Sequence, residues 1–234
     1  MRDPDFFLKR YAPVTTSFSI VSASFDEVLD HWLAWHRRTW EPYGFNIPDQ
    51  RFNQALDSKL DTLLPLDRMA RLITETRDGR IAIFANYRTG SDGSPDADYL
   101  ADYYKRQRVR VVMVKDDIRG TGTIGSTQFD WIDCGAKIDH WMGHKFRSVA
   151  AHKEGRWEWH ENGEPFPWEE TETYKEKRIK DRLTPEMVER YCSQFGIDLF
   201  DPDYYAGRAV LVRLKPPARA GDPGFAEIEH YPNQ

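Results

Sequence analysis

Cysteine is scarce in this chain, with two in 234 residues. Cys134 and Cys192 cannot build a disulfide scaffold and follow no metal-ligand spacing, so a single bond between them is the most they allow. Long apolar runs are missing too. Val111-Val112-Met113-Val114 is typical of the longest, far short of the roughly 18 residues of a membrane-spanning helix. The start, Met1-Arg2-Asp3-Pro4-Asp5, sets two acids and a proline where a secretory leader needs a basic stretch and then an apolar one. The expectation is a cytoplasmic protein with no membrane contact. Basic charge is not in excess: 33 Lys and Arg stand against 38 Asp and Glu, for a formal net charge of −5. Nucleic-acid binding by bulk electrostatics needs the opposite balance, so no nucleic-acid partner is expected. There is no internal repeat and no interdomain linker.

What is present describes a soluble globular chain: 40% apolar and 30% charged residues, with 8 Trp, 11 Tyr and 13 Phe making 14% of the sequence. Aromatics on that scale belong to a core or to a recognition surface.

The local patterns set the fold class. Thr16 to Ser22 alternates as a strand, with Phe18 and Ile20 on one face. Ser24-Phe25-Asp26-Glu27 is a capping box, followed by a helical stripe of Val28, Leu29, Trp32, Leu33 and Trp35 that stops before Pro42. Phe52, Leu56, Leu60, Leu63 and Leu64 predict one amphipathic helix ended by Pro65. Asp78-Gly79, between Leu72–Thr76 and Arg80–Tyr87, predicts a hairpin with a type I′ turn. Ser94-Pro95 opens a helix to about Gln107, and Val109 to Val114 is a strand. Strand-like stretches at Thr121–Trp131, Lys145–Ala151 and Arg156–His160 predict an antiparallel meander, with turns at Glu154-Gly155 and Asn162-Gly163. A charged helix is expected over 171–183. A second helix, capped by Thr184-Pro185 and closed by Gly196, follows it, and Arg208 to Leu214 is a last strand. The expected class is α+β: an antiparallel sheet, from the meander over 121–161 and the hairpin over 72–87, with four or five helices packed on it. One domain over 1–215 and a Pro/Gly-rich tail over 216–234 complete the layout.

The candidate chemistries are few. Gly120-Thr121-Gly122-Thr123-Ile124-Gly125 matches a dinucleotide-binding pattern, but Lys115 to Arg119 separate it from the preceding strand and strand-forming residues follow it, so a glycine-bearing hairpin is expected. His140 and His144 stand four apart, with Asp139, Asp133 and Cys134 close in sequence. Gly143 weakens the helix that a shared metal needs, and exposed loop histidines are expected there, with no metal and no cofactor. His31 and His36, five apart on the first helix, make a poor common face and are expected at surface or interface positions. Asp92 sits on a Gly-rich loop before a helix start, where an acid can act or merely form a turn. Cys134 follows an acid, which raises rather than lowers a thiol pKa, and Cys192 lies on a helix and is expected in the core. Lys175, Arg178 and Arg182 share one face of the expected charged helix and can grip a phosphate or an acidic partner, or simply form a solvated face paired with nearby acids. Trp157 and Trp159 share one face of a strand and are core, a sugar platform or partner anchors.

Two blocks resemble an uncharacterised bacterial protein family with no assigned activity. The first is Gly79-Arg80-Ile81-Ala82-Ile83-Phe84-Ala85-Asn86 with Gly90-Ser91-Asp92 and Tyr99-Leu100-Ala101. The second is Arg156-Trp157-Glu158-Trp159 through Gly163-Glu164-Pro165, then Glu169-Glu170, Tyr174, Arg178, Asp181-Arg182-Leu183-Thr184, Tyr191 and Gly196-Ile197. With the strands between, they cover roughly residues 72–205. The resemblance implies bacterial origin and a cytoplasmic domain, and it assigns no catalytic residue. Small bacterial proteins of this sort are sometimes toxin-neutralising partners.

With no nucleophile elbow, no H-E-x-x-H and no phosphate loop, the first expectation is a non-catalytic protein-binding protein of the immunity or antitoxin kind. Its contacts would come from Trp157, Trp159, Lys175, Arg178 and Arg182. The alternative is a hydrolase whose site assembles from scattered residues such as Asp92, His140 and His144. A carbohydrate-binding module using the Trp-bearing strand is a further alternative.

Overall fold

In the strands Ser17–Val21 (β1) and Ile81–Ala85 (β4) every residue is buried, so both faces of the sheet are covered there. The remaining strands are Asp49–Phe52 (β2), Ala70–Glu75 (β3), Gln107–Val114 (β5), Ser126–Lys137 (β6), His144–Glu154 (β7), Arg156–Asn162 (β8) and Ala209–Arg213 (β9). The computed structural model describes residues 1–66, 70–87, 94–120, 122–137 and 143–215. Among these the nine strands form one open sheet in the order β2-β9-β3-β4-β1-β5-β6-β7-β8, and every pairing is antiparallel. The helices are Phe25–Trp40 (α1), Leu56–Asp61 (α2), Ser94–Tyr104 (α3) and Pro185–Ser193 (α4). The α+β class read from the sequence is the class observed.

Strand alternation divides the core in two. Ile73, Ile83, Val210 and Val212 face α1 and α3, packing against Trp32, Leu33 and Leu100. On the opposite face, Phe18, Leu72, Phe84, Val111, Phe129 and Leu211 meet Phe7, Leu60, Met187, Tyr191 and Tyr205 from the N-terminal turn, α2, α4 and the segment before β9.

The capped elements form where their signals lie. Ser24 Oγ accepts the Glu27 amide at the start of α1, and Thr184 Oγ1 accepts the Met187 amide at the start of α4. Gly196, at φ 71°, closes α4 while the Ile197 amide donates back to the Cys192 carbonyl. The β3–β4 hairpin also forms, with a different turn. Only Gly79 has positive φ, the Gly79 amide donates to the Thr76 carbonyl, and the Thr76 amide donates to the Arg80 carbonyl. A type I′ turn would need positive φ at both central residues, so one extra residue and a bulge replace it.

Two expected helices do not form as read. Residues 52–64 are split: Asp49–Phe52 pairs with β9 at the sheet edge, leaving the six-residue α2. Leu56, Leu60 and Leu63 are still buried, so this stretch is part of the core. The charged helix over 171–183 is replaced by two single turns at Thr173–Lys175 and Ile179–Asp181. That stretch has no apolar stripe to bury, and helix propensity without one does not hold a helix. The glycine-rich segment lies between β5 and β6, bridged at Asp117 and Thr123, and leads into a strand rather than a helix N-terminus. The expected tail over 216–234 lies outside the described residues. No helix among the described residues is long and apolar enough to cross a membrane.

Buried charge ties α2 to β3 and to the segment before β9, and β7 to the loop ahead of α4. Lys59, fully buried, donates from Nζ to Thr74 Oγ1 and the Tyr205 carbonyl at 3.0 Å each, and to the Gly207 carbonyl. Burial lowers its pKa to about 8. Arg147 donates to Glu169, Glu161 and the Gly163 carbonyl, and Tyr174 OH donates to Glu169 Oε2 at 2.9 Å.

Candidate functional site

The residues nominated from sequence disperse. Trp157 and Trp159 project from β8 toward the α4 side and are half-buried, packed on the core, with the Trp159 ring 4.8 Å from that of Tyr174. They do not stand clear as a platform. Lys175, Arg178 and Arg182 share no helical face, because their helix is absent. Lys175 pairs with Glu172 at 2.7 Å, Arg178 with Asp181 at 2.5 Å, and Arg182 Nε donates to the Glu176 carbonyl at 2.8 Å. Lys175 and Arg178 thus pair with nearby acids, one of the two roles expected for them, and what the structure removes is the helix that would have set the three cations on one face. Asp92 and His140 lie outside the described residues. His144 is the exception: Asp102 and Cys134 converge on it.

His36 corrects the surface expectation. Helical spacing sets Trp32 and His36 on one face of α1, and both are buried against the first turn of α3. Trp32 Nε1 donates to Asp96 Oδ2 at 3.1 Å, and His36 Nε2 shares a hydrogen bond with the same oxygen at 3.0 Å. Arg71 Nε stands 3.9 Å from the other carboxylate oxygen. This buried cluster fixes α3 against α1.

The pinned helices carry an aromatic ridge on their outer side. Trp35 stacks on Tyr99 with centroids 4.5 Å apart and planes at 15°. His31 Nε2 and Tyr99 OH share a 2.6 Å hydrogen bond, and the His31 ring lies 3.9 Å from the ring of Tyr103. Tyr104 closes the row, its OH donating to the Glu27 carbonyl at 2.8 Å. Tyr103 is 56% exposed and Tyr43, just beyond α1, is 72% exposed; Met1, Ile118 and Ile124 are the other exposed large apolar side chains among the described residues. Around the ridge stand the exposed acids Glu27, Asp30, Asp98 and Asp102. Glu27 pairs with Arg106, Asp98 with Arg108 and Asp102 with Lys105.

The ridge offers apolar area, ring faces and hydroxyls on two helices held together by the buried cluster. Two concavities, one lined by Arg80, Gln107 and Phe195 and one by Arg2, Glu189 and Asp201, hold no histidine. Trp35 packs against the α1–α3 core, as the helical stripe of α1 implies, and is only partly buried there; what sequence reading missed is that its ring also stacks on Tyr99 of α3, a contact that only the packing of the two helices makes visible. The tyrosines at 99, 103 and 104 carry helical spacing, a signal that marks a face without saying whether it is covered. Comparison with protein-family models, with curated proteins and with solved structures returned no match.

Proposed function

We propose that this chain is a non-catalytic protein-binding protein, of the kind that neutralises or escorts a partner, and that it docks through the α1–α3 ridge. The observation that supports this reading is the run His31, Trp35, Tyr99, Tyr103 and Tyr104, stacked and half-exposed on two helices that the Trp32–Asp96–His36 cluster holds in place. Tyrosine and tryptophan anchors on fixed elements lose little conformational entropy on binding and dominate interface energetics. The formal net charge of −5 favours a basic partner surface through long-range steering.

The test is a pair of variants, Tyr103→Ala and Trp35→Ala, compared with the parent chain for retention of a co-purified protein from bacterial lysate. The parent retains one protein in stoichiometric amount, in a salt-sensitive manner; Tyr103→Ala, at an exposed ring, loses it with its melting temperature unchanged, and Trp35→Ala, which also removes a ring packed on the core, loses it with a lowered melting temperature. Retention that is indifferent to both substitutions removes the ridge from the interface.

A further inference from the structure

Three metal-ligating side chains that are far apart in sequence meet at the lower end of α3. Asp102 comes from its last turn, Cys134 from the distal part of β6 and His144 from the first position of β7, and one ligating atom from each lies within 4.8 Å of the other two. The β6–β7 register breaks at this point. Asp133 pairs with Lys145, yet the next pairing is Lys137 with His144, so Cys134 to Ala136 are left out of the ladder. Asp133 Oδ1 holds that bulge by accepting the Gly135 and Ala136 amides at 2.9 and 3.1 Å. Such a bulge re-aims a side chain that a regular strand would place elsewhere. Asp102 Oδ1 is 3.3 Å from His144 Nε2, while the other ring nitrogen, Nδ1, is buried with no hydrogen-bond partner among the described residues.

We propose that Asp102, Cys134 and His144 form a binding site for a divalent transition-metal ion of zinc type, with a fourth position left for water or another ligand. One sulfur, one imidazole nitrogen and one carboxylate oxygen are the donor types that Zn2+ and Co2+ take in tetrahedral sites. A thiolate and a carboxylate together neutralise the ion's charge. Binding exchanges the Cys134 S–H bond for a sulfur–metal bond, and the proton leaves to solvent. Without an ion the thiol has no reason to ionise: burial and then the Asp102 charge push its pKa up to about 11. Among the described residues the cation that competes for Asp102 is the exposed Lys105 ammonium at 2.7 Å, and an exposed pair of that kind is weak. A second group, His152, Glu158 and His160 on β7 and β8, is less suited. Its two imidazoles are stacked 4.7 Å apart at 21°, and near-parallel rings do not direct their in-plane lone pairs at one point.

The site is independent of the ridge reading and is tested on the full chain after chelator treatment, with Co2+ as probe. The expected result is a thiolate-to-cobalt charge-transfer band in the near ultraviolet that saturates at one ion per chain, persists in Cys192→Ser and disappears in Cys134→Ser. Asp102 is exposed, so Asp102→Asn leaves folding intact, and it weakens Zn2+ binding in calorimetric titration by more than about tenfold. His144→Gln does the same. A titration without a charge-transfer band, a band that survives Cys134→Ser, or Zn2+ affinity unchanged in Asp102→Asn overturns the proposal.

Discussion

Arg147 grips Glu169 with two of its nitrogens, Nε at 2.9 Å and Nη2 at 2.6 Å, and the two side chains are 1% and 0% exposed. The pair joins β7 to the loop ahead of α4. The Glu169 carboxylate also accepts the Phe166 amide and the Tyr174 hydroxyl at 2.9 Å each, so little of its hydrogen-bonding capacity is left over. Removing Glu169 takes the fully buried carboxylate from a buried guanidinium and leaves Arg147 with the more exposed Glu161 and the Gly163 carbonyl. It also strips the Tyr174 hydroxyl and Phe166 amide of their acceptor. Glu169→Ala is therefore expected to lower unfolding free energy by about 3–5 kcal/mol, measured by urea titration. A loss under about 1 kcal/mol, the range of a surface pair, would show that solvent reaches the network.

Alkaline stability is set by tyrosines. Tyr174, Tyr191, Tyr204 and Tyr205 all have pKa values raised, chiefly by burial. In the unfolded chain these phenols ionise near pH 10, while the folded chain keeps them neutral. Above pH 10 the native state thus holds more protons, and stability falls as pH rises. Tyrosinate absorbance should report only part of the 11 tyrosines while the chain is folded and the rest in one step with alkaline unfolding. Smooth titration of all of them before any loss of structure would contradict the buried positions.

Lys59 acts with the opposite sign. Its folded pKa of about 8 lies below the ordinary ammonium value of 10.5. The unfolded chain binds that proton more tightly, so the Lys59 contribution to stability is lost as pH falls through 8 and grows as pH rises toward 10.5. Across the window this amounts to about 3 kcal/mol. Lys59→Met is expected to flatten the dependence of urea midpoint on pH between about 8 and 9.5, whatever its effect on the midpoint itself. An unchanged slope would show that Lys59 keeps its proton throughout.

Two aromatic substitutions separate core from surface. Trp159→Ala removes a ring packed on Tyr174 and should destabilise the chain by about 2–4 kcal/mol. Tyr103→Ala, at a ring 56% exposed, should stay within about 0.5 kcal/mol of the parent. Thermal melts of the two variants side by side decide the matter, and equal losses would contradict the assignment of the ridge as surface.

The legible parts of the fold were those whose signals are local. Ser24 and Thr184 mark helix starts because their hydroxyls accept amides three residues on, and Gly79 marks a turn because its backbone needs positive φ. Residues 49–52 were not legible as a strand, since their only partner lies near residue 210. The turns over 171–183 read as a helix because charged residues favour that state when nothing else competes. Here Tyr174 is drawn into the Arg147–Glu169 network instead. The candidate sites divide in the same way. His144 and Cys134 stood out by proximity in sequence, but Asp102 joins them only through the docking of α3. Tyr99 and Tyr103 became a surface feature only once the partner face of α1 was known.

The position of β9 bears on how the chain can be made. This strand, residues 209–213, lies between β2 and β3, and β2 has no other neighbour in the sheet. A ribosome that has released the first 200 residues has therefore released a sheet with a gap, in which the outer edge of β3 is open and β2 has nothing to pair with. Open edges of that kind attract foreign strands. The last stretch of synthesis closes the gap, so a stop codon shortly before residue 209 would yield a nascent chain dependent on chaperones rather than a slightly shorter protein.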